Sequence, residues 1–119
     1  MWEIILMKQV EDWLLNLTDD DYDLVAAAIT RLETAGPALG RPTADHIKAS
    51  RHHNMKELRP GSRGRSKIRI LFAFDPHRQA VLLIAGDKAD KWSEWYKTNI
   101  PRADALFDEW LLQLKTYEE

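Results

Sequence analysis

Apolar positions repeat along this chain with two different periods, and the places where the period changes divide it into elements. Trp2 to Leu6, with Ile4, Ile5 and Leu6 at its centre, reads as a short strand. Val10, Trp13, Leu14 and Leu17 then fall at i, i+3, i+4 and i+7, one face of a short helix. Thr18 followed by Asp19, Asp20 and Asp21 supplies a capping hydroxyl and acids for the positive dipole end of a second helix. Tyr22, Val25, Ile29 and Leu32 mark its buried stripe, and Gly36-Pro37 ends it. The short joint Asn16-Leu17-Thr18 predicts an antiparallel helical hairpin.

Residues 36–52 form a long connection rich in Gly, Pro and small residues, with Leu39, Pro42 and Ile47 as anchors. A strand is expected from Asn54 to Arg59, closed by Pro60-Gly61 and a basic turn carrying Arg63 and Arg65. Lys67 to Phe74 alternates cleanly: Ile68, Ile70, Phe72 and Phe74 on one face, Lys67, Arg69, Leu71 and Ala73 on the other. After the Asp75-Pro76-His77-Arg78 turn, Ala80 to Ala85 is apolar on both faces, as a central strand should be. Trp92, Trp95 and Tyr96 mark one turn of helix, and Pro101 can open a final helix whose stripe is Ala103, Leu106, Phe107, Trp110, Leu111 and Leu114. The expectation is one α+β domain over residues 1–119, in the order β-αα-βββ-α, with a small antiparallel sheet and the helices on one face.

Composition narrows the chemistry. The chain has 119 residues and no cysteine, which removes thiol catalysis and cysteine-based zinc sites. No apolar run approaches the ~18 residues of a membrane span. Glu3 ahead of a short apolar run is unlike a secretory signal, so a cytoplasmic protein is expected. His52 and His53 are adjacent and point apart in an extended strand, and no carboxylate is spaced to complete a metal set. No cofactor is expected.

Charge is distributed unevenly. Residues 1–47 carry three bases against nine acids, and residues 70–119 carry six against nine. Residues 48–69 carry eight bases and a single acid, Glu57. A dense basic belt in an acidic chain points to a polyanion. With Lys67 and Arg69 on the face away from the helical hairpin, edged by Arg63, Arg65, Lys88 and Lys91, the belt can track phosphates. Trp92, Trp95 or Tyr96 could stack on unpaired bases. The same surface offers the parts for RNA cleavage through the ribose 2′-OH: positive charge for the transition state, and His52, His53, Lys56, Lys88 or Tyr96 as acid or base. A plainer reading pairs Arg69 with an acid such as Glu57 and leaves the belt as a solvated loop.

The segments Leu39-Gly40-Arg41-Pro42, His53-Asn54-Met55-Lys56-Glu57-Leu58-Arg59 and Lys67 to Pro76, followed by an apolar strand and Gly86-Asp87-Lys88, resemble in order and spacing the RelE/ParE toxin superfamily. The match is to its HigB-like, phage-derived branch. The resemblance implies a RelE-like microbial-RNase fold and a type II toxin that cleaves mRNA, in association with the ribosome, without metal. It implies a cognate antitoxin, usually a helix-turn-helix protein. Carried over position by position, it makes Arg69, Lys56, Arg59, Lys88, Tyr96 and His53 the catalytic candidates. Arg63, Arg65, Lys67, Lys91 and Trp92 are the RNA-binding ones. The segment from Gly86 to Trp92 and the acidic helix after it depart from the usual end of the branch, which leaves the acid and base open. The ParE branch inhibits DNA gyrase without nuclease activity, so a gyrase inhibitor and a toxin-derived nucleic-acid-binding module are the alternatives.

Overall fold

The computed structural model describes residues 1–61, 67–89 and 91–118. Strand β1 (Glu3–Leu6) leads into helices α1 (Lys8–Leu15) and α2 (Asp19–Ala35). Thr18 caps α2 as its sequence demands, its Oγ1 accepting from the Asp21 N–H at 3.2 Å. At the other end Gly36 takes φ +56°, and its missing Cβ leaves room for the Trp2 ring. Strands β2 (Ala44–His46), β3 (Met55–Leu58), β4 (Ile68–Phe74) and β5 (Gln79–Asp87) follow, and α3 (Trp92–Glu118) closes the chain. Among the described residues no helix is long and apolar enough to cross a membrane.

The α+β order holds, with three differences from the sequence reading. The sheet runs β1-β5-β4-β3-β2 and is mixed, because β1 pairs parallel to β5 while the other pairs are antiparallel. Strand β2 lies inside the 36–52 connection and pairs Ala44, Asp45 and His46 with Leu58, Glu57 and Lys56. Three residues are too few for a period to be read. Finally, the helices cover both faces. The hairpin buries Val10, Val25, Ala28 and Leu32 against Leu58, Ile68, Ile70, Phe72 and Leu82. Helix α3 buries Ile100, Ala103 and Phe107 against Met55, Leu71, Ala73, Val81, Leu83 and Ile84.

This second layer explains two sequence features. Between Leu71 and Phe72 the β4–β5 register slips by one, so Leu83 has no partner and both Leu83 and Ile84 face α3. Pro101 does not start a helix but lies within α3; its missing N–H falls at an exposed position, while Ile100 and Ala103 beside it are buried on the sheet. Phe72 and Phe107 anchor the two layers, and truncating either to Ala should cost about 3–5 kcal/mol.

Candidate active site

The two-residue period of β3 sorts its side chains. Met55 packs in the α3 layer, and Glu57 reaches Tyr96 of α3. Leu58 joins the hairpin layer, and Lys56 goes the same way: its Nζ donates to the Pro37 carbonyl at 3.2 Å and lies 5.7 Å from the Phe74 ring centre. Helix α3 can come close enough for the Tyr96 contact because Gly86, opposite Arg69 on β5, has no side chain. A Cβ there would fall 2.5 Å from Trp95 Nε1. The Trp95 indole takes that space, and Tyr96 packs edge-on against it at 5.3 Å.

Glu57 is the centre of the group and only 3% exposed. Its Oε1 accepts a hydrogen bond from the Tyr96 hydroxyl at 2.7 Å and one from Arg59 Nε at 3.3 Å. Arg69 Nε lies 3.0 Å from the same oxygen, but its N–H is not aimed there, so the contact is an ion pair rather than a directed hydrogen bond. Arg69 is held from the other side by its Nη1, which donates to the Ile68 carbonyl at 2.8 Å. A carboxylate this buried stays charged only with such partners. Arg59 also reaches Asp45 Oδ2 at 3.2 Å, so it bridges two carboxylates that lie directly opposite one another on β2 and β3. All three contacts to Glu57 use Oε1 and leave Oε2 outside them.

Lys88 adds a third cation. Its backbone N–H donates to the Lys67 carbonyl at 3.0 Å, which fixes it just beyond the end of β5. Its Nζ lies 5.2 Å from the Tyr96 ring centre and 5.3 Å from that of Trp92. Burial, with the Arg69 guanidinium next, holds its ammonium below the ordinary 10.5. Tyr96 moves the other way: burial first, then the hydrogen bond to Glu57, push the phenol up to about 12. Lys67, Arg69, Lys88 and Trp92 line a hollow of about 230 Å³ over this group, with Trp92 61% exposed on its rim.

The structure therefore brings together Arg59, Arg69, Lys88 and Tyr96, with Lys67 and Trp92 alongside. Lys91 lines the neighbouring hollow. It separates Lys56, which faces the hairpin, and His53. That residue precedes β3 and lines a different hollow with Phe74, Asp75 and Phe107, beyond the far end of β4 from Arg69. His52 is occupied there by Asp108 Oδ1 at 2.7 Å and by the Phe107 ring. Arg63 and Arg65 lie outside the described residues. The residue that sequence reasoning undervalued is Glu57, considered only as a partner for Arg69. Its signal was plain: it is the single acid among eight bases.

The arrangement pairs a carboxylate base with two guanidinium groups, a phenol that keeps its proton and an ammonium that releases its own more readily than usual. That is the equipment of proton transfer at a phosphate. The family model "Phage derived protein Gp49-like (DUF891)" matches residues 12–108. The chain belongs to this Gp49-like, HigB-like branch of the RelE superfamily. Within the branch it is 54% identical over 109 residues to the Mycobacterium tuberculosis protein named "Putative toxin HigB2", covering 92% of this chain and 54% of that one. It is 53% identical over 108 residues to "Putative toxin HigB3" of the same organism, covering 91% and 92%. The chain thus spans about half the length of the first relative and nearly all of the second. The matched region of this Gp49-like chain contains Glu57, Arg59, Arg69, Lys88, Trp92 and Tyr96.

Proposed function

We propose that this chain is the toxin of a type II toxin–antitoxin pair and acts as a metal-free mRNA endoribonuclease. The observation that carries the reading is the convergence of Arg59, Arg69 and Tyr96 on Glu57 beneath a cationic hollow rimmed by an exposed indole. An RNA phosphate entering the hollow meets Arg69 and Lys88, and a base beside it can stack on Trp92. The ribose 2′-oxygen forms a bond to phosphorus while the bond from phosphorus to the 5′-oxygen breaks. The 2′-OH proton goes to Glu57 Oε2, and the Lys88 ammonium gives a proton to the departing 5′-oxygen. The products are a 2′,3′-cyclic phosphate and a free 5′-OH. Arg69 carries the charge that accumulates on the phosphate oxygens, and Arg59 helps hold Glu57 ionised. Tyr96 orients Glu57 and donates; with its pKa near 12 it does not act as a base at neutral pH.

The partner in this reading is an antitoxin, a helix-turn-helix protein with an acidic segment that covers the basic belt. Primer extension on cellular mRNA shortly after induction tests the proposal. New 5′ ends within messages are expected from wild type and not from Arg69→Ala. Intact mRNA with arrested DNA gyrase would replace it with the inhibitor reading.

A further inference from the structure

A hollow of about 540 Å³ lies on the other side of the first turns of α3. Its walls include Asp87, Lys91, Glu94, Trp95 and Thr98, and Ala89 lines both it and the cationic hollow over Arg69. It therefore adjoins the proposed cleavage site without using any of its reacting groups. Among the described residues neither the Lys91 ammonium nor the Glu94 carboxylate has an ion-pair or hydrogen-bond partner, although they stand only three residues apart. An apolar plane beside one free acceptor and one free donor is poorly suited to a phosphate, which Glu94 and Asp87 repel. It suits a nucleobase, stacked on the Trp95 indole with its polar edge toward the helix.

The donor and acceptor pattern selects among bases. Guanine presents O6 as an acceptor beside two donors, N1–H and the 2-amino group. The acceptor fits Lys91 and the donor pair fits a carboxylate on Glu94, which accepts bidentately. Adenine presents an amino donor where Lys91 also donates. Uracil offers one donor between two acceptors, and cytosine one donor to guanine's two. We infer that this hollow holds a guanine of the RNA next to the cleaved bond, with Lys91 and Glu94 as its specificity-determining residues. The inference rests on the endoribonuclease reading above.

Two measurements test it separately from that reading. Short RNAs methylated at every 2′-oxygen bind but cannot be cut. One with a single guanine should bind about 5- to 150-fold more tightly than the same RNA with adenine there. Glu94→Gln, an exposed change that exchanges an acceptor for a donor, should erase the difference, and Lys91→Met should reduce it. In cells, the 5′ ends mapped after induction should cluster beside guanine for wild type and lose that bias in Glu94→Gln. Equal affinity for the two RNAs overturns the inference, as does a guanine preference that Glu94→Gln leaves intact. Messages cut without regard to base overturn it while the nuclease stands. Selective guanine binding with no cutting at all keeps the hollow and removes the nuclease. Loss of antitoxin capture in Glu94→Gln, with RNA binding unchanged, would give the hollow to a protein side chain instead.

Discussion

Arg69 and Glu57 lie diagonally across the β3–β4 pair: Glu57 is opposite Leu71, two residues along from Arg69, and Arg69 Nε stands 3.0 Å from Glu57 Oε1. The diagonal places a guanidinium and a carboxylate on the α3 side of the sheet, near the start of β4, where the Tyr96 hydroxyl of α3 reaches the carboxylate. The plain reading of Arg69 as half of an ion pair and the chemical reading are therefore compatible. The same contact holds the arginine in place and holds the carboxylate ionised.

Arg69→Ala should reduce cleavage about 100- to 1000-fold, the effect of removing one donor to transition-state charge. The chain should still fold, because Glu57 keeps Arg59 and Tyr96. Arg69→Lys should recover little, since an ammonium cannot use two prongs on a phosphate. Single-turnover cleavage beside a denaturation curve checks both parts. Near wild-type cleavage by Arg69→Ala would move the reaction away from this group.

Glu57→Gln should lose about 100- to 10,000-fold in rate, the usual contribution of a general base, while its amide oxygen still accepts from Tyr96. Stability should fall as well, because Arg69 loses its counter-charge and Arg59 keeps only Asp45. The loss should be smaller than the 3–5 kcal/mol typical of fully buried pairs, because Arg59 is 33% exposed. In a double-mutant cycle, Arg69→Ala and Glu57→Gln should couple by about 0.5–3 kcal/mol. Additive stabilities would mean that the 3.0 Å approach contributes nothing.

The alkaline side of the pH–rate profile should report Lys88. The ammonium is the active form and its pKa lies below the ordinary 10.5, so cleavage should decline as pH rises, starting below the usual lysine range. Tyr96, at about 12, ionises too late to produce that limb. In Lys88→Arg the limb should disappear from the accessible range and the rate should drop throughout, because guanidinium is a poor proton donor. An unchanged limb would assign it to another group.

Much of this was legible in the sequence, for reasons tied to particular residues. The 67–74 alternation fixed the face of Arg69, because Ile68, Ile70 and Phe72 had to be buried together. Thr18 and the acids behind it marked the start of α2. What stayed hidden depends on packing between distant segments. Strand β3 is apolar at both Met55 and Leu58, on opposite faces, so its pattern could not place Lys56 or Glu57. The second layer was hidden because Leu71 and Ala73 were read as the far side of an open face. Leu83 and Ile84 can both point at α3 only through the register slip. The Lys91–Glu94 hollow needed Trp95 settled on Gly86, a fit that spacing along the chain does not express.

Tyr96→Phe separates the structural contribution of the phenol from its chemistry through pH. The folded chain holds the Tyr96 proton up to about 12, against an ordinary 10.0. Burial first, and then the hydrogen bond to Glu57, disfavour the ionised phenol in the folded chain, so what Tyr96 contributes to the fold is complete below pH 10. Above that, the unfolded chain gives up its proton and the folded one resists, so the contribution fades as pH climbs toward 12. Tyr96→Phe should be less stable than wild type by about 1.5–3 kcal/mol at pH 7 to 9, the range for a hydrogen bond to a charged acceptor. That deficit should shrink steadily above pH 10. Urea denaturation of both proteins from pH 7 to 11.5 gives the difference directly, and a deficit that stays constant to pH 11.5 would show that the folded site does not hold the phenol's proton.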